Sequence, residues 1–539
     1  MRQNHLSPAL LCGVAAAVPA ACAAQQGAGG RESGRPNIVY IMTDDHAYQT
    51  VGAYGHPISR LAPTPNIDRL AREGMLFREA FVENSISAPS RATLLTGVYS
   101  HRHGQTTLSY GIMDTTLVHF PELLRAEGYL TAIFGKWHLS VEPKGFDHYD
   151  LLWDQGEYYN PVMRTPETGG RYVRQEGYAT DIITDHALAW LDARRDDDAP
   201  FCLMIHHKAP HRNWMADLKY LDLYEDVEFP EPETLFDDYA TRGDQMRQQQ
   251  LTIDRHMGYA FDFKVEELKD EPTLQYIHDS WDIAMSTLTP EQRRVWDDSY
   301  GRKNRDFLAD RPEGKELLRW KYQRYIHDYC RTIRSVDDQI GRVLDYLEEN
   351  GLMDNTLIVY TSDQGFLLGE HGLYDKRFMY EESFRTPLVM RLPGGARGDI
   401  VEMVQNIDYA PTFLELAGVA VPDDIQGVSL LPLLRGEHPA GWRRSLYYHF
   451  YEYPAEHMVK RHYGVRNDRW KLIHFYNDID QWELYDLQED PHELRNLYGL
   501  PEYAAPRREM TDELVRLQTQ YGDTLALRRN GRVTAANGN

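Results

Sequence analysis

The chain has 539 residues, 42% hydrophobic and 26% charged, a balance that describes a folded globular protein and excludes a disordered one. Its length allows one large core or two domains. A formal charge of −24 speaks against nucleic acid as a partner, which needs a basic footprint, but it leaves room for a small anion held by a few local lysines and arginines.

Residues 1–24 read as an export signal. Arg2 and His5 precede the Ala-rich run LSPALLCGVAAAVPAACAA, which ends in small residues. Prolines break that run, and no later stretch reaches the roughly 18 apolar residues of a spanning helix. The expectation is an exported protein, periplasmic or secreted, with no transmembrane segment. Cys22 in PAAC offers a lipid anchor as the alternative, although Pro19 fits a lipobox poorly. Only Cys202 and Cys330 lie beyond the signal, too few for a disulfide framework or a cysteine zinc site; a single bridge between them stays open. The stretch QQGAGGRESGRP, 25–36, has the composition of a linker.

From residue 37 strands and helices alternate. NIVYIMTDD is a β-rich run ending in Asp44 and Asp45. TPNIDRLAREG is a helix with Thr64 as cap, Pro65 at its first position and Gly74 as stop. FPELLRAEG and DIITDHALAWLDARR read as helices, YLTAIFGKWH, PFCLMIHHKAPH and TLIVYTSDQG as strands with polar exits. A long amphipathic helix is expected from Trp320 to Leu347. This is an α/β pattern with a large, mixed central sheet flanked by helices, spanning 37–440. Residues 214–318 are acidic and weakly periodic, read as a helical insertion. Near residue 440 the texture becomes that of antiparallel strands followed by a helix at about 505–520. That predicts a smaller C-terminal α+β subdomain, 441–526, with a polar tail, 527–539. The 35 tyrosines suit core filling first and a carbohydrate-handling surface second.

Polar residues gather at the strand exits: Asp44 and Asp45, Lys136 and His138, His211, Asp363 and Gln364. Ligands of open α/β sheets bind beyond the carboxyl ends of the strands, so four such exits imply one composite site. SAPSRATLLTG, 87–97, adds Ser87 and Arg91 at the mouth of a helix. The plain reading of Ser87 is an N-cap. A helix start is also an anion site, and Arg91 one turn on could help hold a tetrahedral oxyanion.

SAPSR followed by TG resembles the signature of type I sulfatases, whose first residue, Cys or Ser, is oxidised to formylglycine. TDD (43–45), GKWH (135–138), APH (209–211) and SDQGFLLGEHGLYDK (362–376) stand in the family's order. The resemblance implies an alkaline-phosphatase-like fold with Ser87 as nucleophile precursor, matured by a formylglycine-forming enzyme. A hydrated aldehyde has two hydroxyls on one carbon: one attacks sulfur, and deprotonating the other expels sulfate, where a plain serine would stop as a stable ester. It also implies one Ca²⁺ held by Asp44, Asp45, Asp363 and Gln364, an all-oxygen set suited to a hard cation. Gln364 departs from the family's usual Asn or His. Arg91, Lys136 and Lys376 become the cations that neutralise the sulfate, His138 the base and His211 the acid for the leaving alcohol. The stretches HKAPHRNW and DLYEDVEFPEPETLFDDY are similar to bacterial sulfatases acting on N-acetylglucosamine 6-sulfate in mucin or heparan-type glycans. His371, and His457 and Arg461 in the basic HMVKRHYGVR, are the substrate-contact candidates. The alternatives are a sulfatase for another sugar, a phosphodiesterase or phosphonate hydrolase of the same superfamily, or, with Ser87 unoxidised, a sulfoglycan-binding protein.

Overall fold

The computed structural model describes residues 34–529, so the expected signal, the Cys22 anchor, most of the linker and the last ten residues lie outside the described residues. Ten strands build the main sheet: β1 (Asn37–Thr43), β2 (Met75–Phe77), β3 (Leu130–Gly135), β4 (His148–Leu152), β5 (Val162–Arg164), β6 (Val173–Arg174), β7 (Phe201–His206), β8 (Thr356–Ser362), β9 (Leu388–Arg391) and β10 (Gly398–Ile400). Their order is β10-β2-β9-β8-β1-β7-β3-β4-β5-β6. β8, β1, β7, β3 and β4 run parallel, whereas β9 pairs antiparallel with β8, so the sheet is mixed. NIVYIMT is apolar almost throughout because β1 lies mid-sheet, with Ile41 opposite Ile205 on one side and Tyr360 on the other.

Alternate β1 residues feed two cores. Val39 and Ile41 pack with Ile67 and Leu70 of α1 (Pro65–Glu73), Ile183 of the helix Ala179–Asp192, and Val336 and Ile340 of the long helix Gly314–Glu349. Ile38, Tyr40 and Met42 meet Ala88 and Ala92 of α2 (Ser87–Thr96) on the opposite face. We label the other two helices α3 (Ala179–Asp192) and α4 (Gly314–Glu349). The last of these is longer than its apolar spacing predicts. Residues 214–318 are helical mainly in their second half, at Gln275–Ser286 and Pro290–Ala309. Much of the first half is turns, pinned by Phe229 and Leu235 against Tyr322 and Tyr325 of α4. Cys202 and Cys330 are both buried and free, so no bridge joins them. Among the described residues no helix is long and apolar enough to cross a membrane.

Four antiparallel strands, β11 (Ser445–Phe450), β12 (His462–Asn467), β13 (Trp470–Phe475) and β14 (Gln481–Asp486), make a second sheet. One face takes Met510, Leu514 and Leu517 of α5 (Ala504–Tyr521). The other packs Tyr448, Phe450 and Phe475 against Phe378, Met379 and Tyr380, and so buttresses the loop that carries Lys376.

The cap of α1 differs from expectation. Thr64 occupies the cap position, but its hydroxyl accepts from Gly52 N–H and donates to Asp68. The free N–H groups of Asn66 and Ile67 donate instead to Asp337 of α4, at 3.1 and 2.9 Å. Asp337→Ala strands these donors in a buried seam and is expected to cost about 2 kcal/mol. The check is a lower thermal midpoint at fixed scan rate, with the fold at 25 °C unchanged by circular dichroism.

Candidate active site

The carboxyl ends of β8, β1, β7 and β3 deliver their polar exits to one place. Gly135 makes the β3 exit possible: its φ is +99°, and a Cβ there would lie 2.0 Å from the His206 carbonyl oxygen. The close approach lets Lys136 N–H donate to that oxygen at 2.8 Å. Ser87 is the first residue of α2 and not its cap; Ile86, in extended conformation, holds the cap position without a side-chain bond. The Ser87 side chain is thereby released from capping, and its Oγ donates to Asp44 Oδ1 at 3.1 Å.

Three buried carboxylates each meet a buried cation. Lys136 Nζ donates to Asp44 Oδ2. Lys376 Nζ spans both oxygens of Asp45, at 2.5 and 2.6 Å. Arg91 donates to Asp363 Oδ2 through Nε and Nη2, at 3.2 and 3.0 Å, and to the Lys136 carbonyl at 2.9 Å. Gln364 turns Nε2 towards Asp45 Oδ1 and to Asp363 Oδ1, the latter at 2.7 Å, while its Oε1 is buried without a partner. His211 Nε2 lies 3.8 Å from Asp45 Oδ2 and its Nδ1 is 2.7 Å from the Arg212 carbonyl. One ligand atom each of Asp44, Asp45 and His211 lie within 4.8 Å of one another. His138 Nε2 is 3.0 Å from Gln155 Nε2, and its Nδ1 is buried without a partner.

Electrostatics follow from this crowding. Burial lifts the Asp45 carboxyl to about 7, against Lys376, with Asp44 and Asp363 adding to the rise. Burial and the charge of Asp44 lift Asp363 to about 6. At Asp44 burial also acts upward, but the fixed charges of Lys136, Arg91 and Lys376 outweigh it and hold the group well below the usual carboxylate range. Burial, then the neighbouring Lys136, keeps His138 far below its ordinary value; burial does the same to His211. Carboxylates pressed this close favour a cation between them. The carboxylates offer only oxygen, with an orphaned amide oxygen beside them and the His211 imidazole at the edge, a mostly oxygen set that fits a hard ion.

A cavity of about 360 Å³ opens onto Ser87, His138, His211 and Lys376. His457 also lines it, with Nε2 3.6 Å from Asp375 Oδ2. Arg461 and His371 do not line it. Arg461 spends its guanidinium on the carbonyls of Tyr451, at 2.7 Å, and Tyr453. His371 is buried against Asp237, 2.8 Å from Nδ1. Sequence reasoning missed Gln155, Lys208, Arg212, Asp375 and Arg377, which line the cavity. Only adjacency marks four of them: Asp375 and Arg377 flank Lys376, Arg212 follows His211, and Lys208 precedes APH; nothing local marks Gln155.

A mixed sheet of this order, with an oxyanion-sized group of cations and carboxylates at its carboxyl edge, defines a hydrolase of the alkaline-phosphatase-like class. The chain belongs to the sulfatase family, which residues 36–419 match; residues 369–520 match N-sulphoglucosamine sulphohydrolase, C-terminal. It is therefore a sulfuric ester hydrolase. It is 46% identical over 527 residues to an N-acetylglucosamine-6-O-sulfatase of Bacteroides thetaiotaomicron, covering 95% of this chain and 91% of that protein. The human N-acetylglucosamine-6-sulfatase is 28% identical, covering 76% of this chain and 66% of its own length. A solved structure of a protein in complex with its substrate D-glucosamine-2-N,6-O-disulfate superposes with a TM-score of 0.85 at 46% identity, covering 91% of this chain and 99% of that one.

Proposed function

We propose that this sulfatase removes the 6-O-sulfate of a terminal N-acetylglucosamine in mucin or heparan-type glycans, with residue 87 as formylglycine and one Ca²⁺ at Asp44, Asp45, Asp363 and Gln364. The reading rests on one observation above all. The Ser87 Oγ touches Asp44 beside a cavity whose polar lining includes the imidazoles of His138 and His211 and the ammonium of Lys376. The 46% identical relative, named for this sugar, supports the substrate.

The hydrated aldehyde of formylglycine supplies both an attacking hydroxyl and a second hydroxyl whose deprotonation expels sulfate, and Ca²⁺ supplies Lewis acidity toward a sulfate oxygen. The chain's own residues do the rest. Asp44 orients the oxygen at position 87 from 3.1 Å. Lys136, Arg91 and Lys376 are fixed cations that favour charge building on the transferring group. His138 is kept neutral by burial and can accept a proton. Burial keeps His211 neutral too; the negative charge of a bound ester is what favours the proton it must give the leaving alcohol. Asp375, Arg377 and His457 line the same cavity and offer hydrogen bonds to sugar hydroxyls. Export by residues 1–24 would bring the enzyme to extracytoplasmic glycans, after a formylglycine-forming enzyme has acted on Ser87.

Sulfate release from a panel of singly sulfated monosaccharides tests the substrate. N-acetylglucosamine 6-sulfate is expected to exceed its 3-sulfate and 4-sulfate isomers about 100-fold in kcat/KM. Faster turnover of another isomer would overturn the assignment. Mass spectrometry of the peptide carrying Ser87 should show the loss of two hydrogens in active enzyme.

A further inference from the structure

Lys208 stands apart from the other cavity cations. Arg212 is tied to Asp262 by two hydrogen bonds, at 2.7 and 2.6 Å, and Arg377 is paired with Asp375. Lys136, Arg91 and Lys376 have Asp44, Asp363 and Asp45. Lys208 is only 5% exposed, lines the cavity, and among the described residues has no carboxylate within the 4.0 Å of an ion pair. Its Nζ rests 4.8 Å from the centre of the Tyr158 ring. Glu157 and Asp154 share the lining and exert some attraction, yet burial prevails and lowers the Lys208 ammonium to about 8. A cation–π contact repays only part of the cost of a buried, unpaired ammonium.

The position is also rigidly set. Lys208 lies two residues beyond the end of β7, and its carbonyl accepts from His211 N–H at 3.0 Å, within the turn that presents His211. Tyr158, under the ammonium, donates its hydroxyl to the His211 carbonyl at 2.5 Å. The lysine head is thus held beside the leaving-group histidine, while the three cations of the catalytic floor already answer the charge of the reacting sulfate.

We propose that Lys208 binds a second anionic group of the substrate, making this site one for doubly charged amino sugars as well as singly charged ones. The proposal rests on the sulfatase reading above. Two sources share the required chemistry: an N-sulfate on the reacting glucosamine, or the carboxylate of an adjoining uronate. Both are oxyanions that a lone ammonium can meet with short, charge-assisted hydrogen bonds.

The test compares wild type with Lys208→Met on three substrates: N-acetylglucosamine 6-sulfate, glucosamine 2-N,6-O-disulfate, and a disaccharide joining N-acetylglucosamine 6-sulfate to a uronate. The variant is expected to raise KM about 10- to 100-fold for one dianionic substrate, with kcat nearly kept. For the monosulfate KM should stay within about threefold, and Lys208→Arg should recover much of the loss. Which dianion suffers identifies the source. An equal loss on all three substrates assigns Lys208 to the reacting sulfate and overturns the proposal; so does no loss on any. Wild-type turnover separates this from the broader reading: if wild type hydrolyses none of the three, the substrate assignment fails first, and glucosamine 2-N,6-O-disulfate binding by calorimetry to wild type and Lys208→Arg against Lys208→Gln still decides the lysine's role. Lys208→Gln serves equally in the kinetics if Met at this position misfolds.

Discussion

Ser87→Ala is expected to lower sulfate release by at least about 10⁴-fold while leaving the protein folded. The rate falls because the variant has no oxygen at position 87, and neither the neighbouring cations nor the imidazoles can replace a covalent nucleophile; binding and electrostatics alone leave a small residue of catalysis. Stability holds for a local reason. Ser87 is the first residue of α2, not its cap, so the helix loses no capping bond, and Ala suits a helical position. The Oγ gives Asp44 a single bond at 3.1 Å, and Asp44 keeps its ion pair with Lys136. Thermal midpoints should agree within a few degrees, and kcat, not KM, should carry the loss. Turnover within tenfold of wild type would refute the nucleophile assignment, because another group would then be attacking sulfur.

How much of this was legible in the sequence depends on range. β1, β3, β7 and β8 could be read because their apolar runs are continuous and end in polar residues, a local signal. Their shared edge followed from a general rule for parallel strands. Partnerships across the chain were not legible. Lys376 meets Asp45 331 positions away, and His371 is taken by Asp237 from the insertion. A basic stretch also says nothing about which way its side chains turn. His457 and Arg461 lie four apart in one segment, yet one lines the cavity and the other braces two carbonyls of its own subdomain. Thr64 and Ser87 teach the same lesson at helix starts. Both look like caps by residue type, but the Thr64 hydroxyl is taken by Gly52 N–H and by Asp68 one turn on, and the Ser87 hydroxyl by Asp44 from the end of β1.

Chelation is expected to reduce turnover about 10³-fold or more, with recovery on adding Ca²⁺. Asp44, Asp45 and Asp363 are each at most 1% exposed, and burial opposes charge on all three. Without a cation, Asp45 and Asp363 hold protons more tightly than ordinary carboxyls. A divalent ion reverses that preference and supplies the Lewis acidity the lysines lack. Stability should move with activity: Ca²⁺ at 100 times its Kd adds about 2.7 kcal/mol to the folded state, so the thermal midpoint should climb with added Ca²⁺. Asp45→Asn should abolish that climb. The substitution keeps the shape but removes the charge that pairs with Lys376 and that a bound ion would need. Zn²⁺ should restore less activity than Ca²⁺, since the set has one imidazole at its edge and otherwise only oxygen donors. Chelated protein that contains less than about a tenth of an ion per chain yet keeps full turnover would remove the metal from the mechanism, leaving the three carboxylates as partners of Lys136, Arg91 and Lys376 alone.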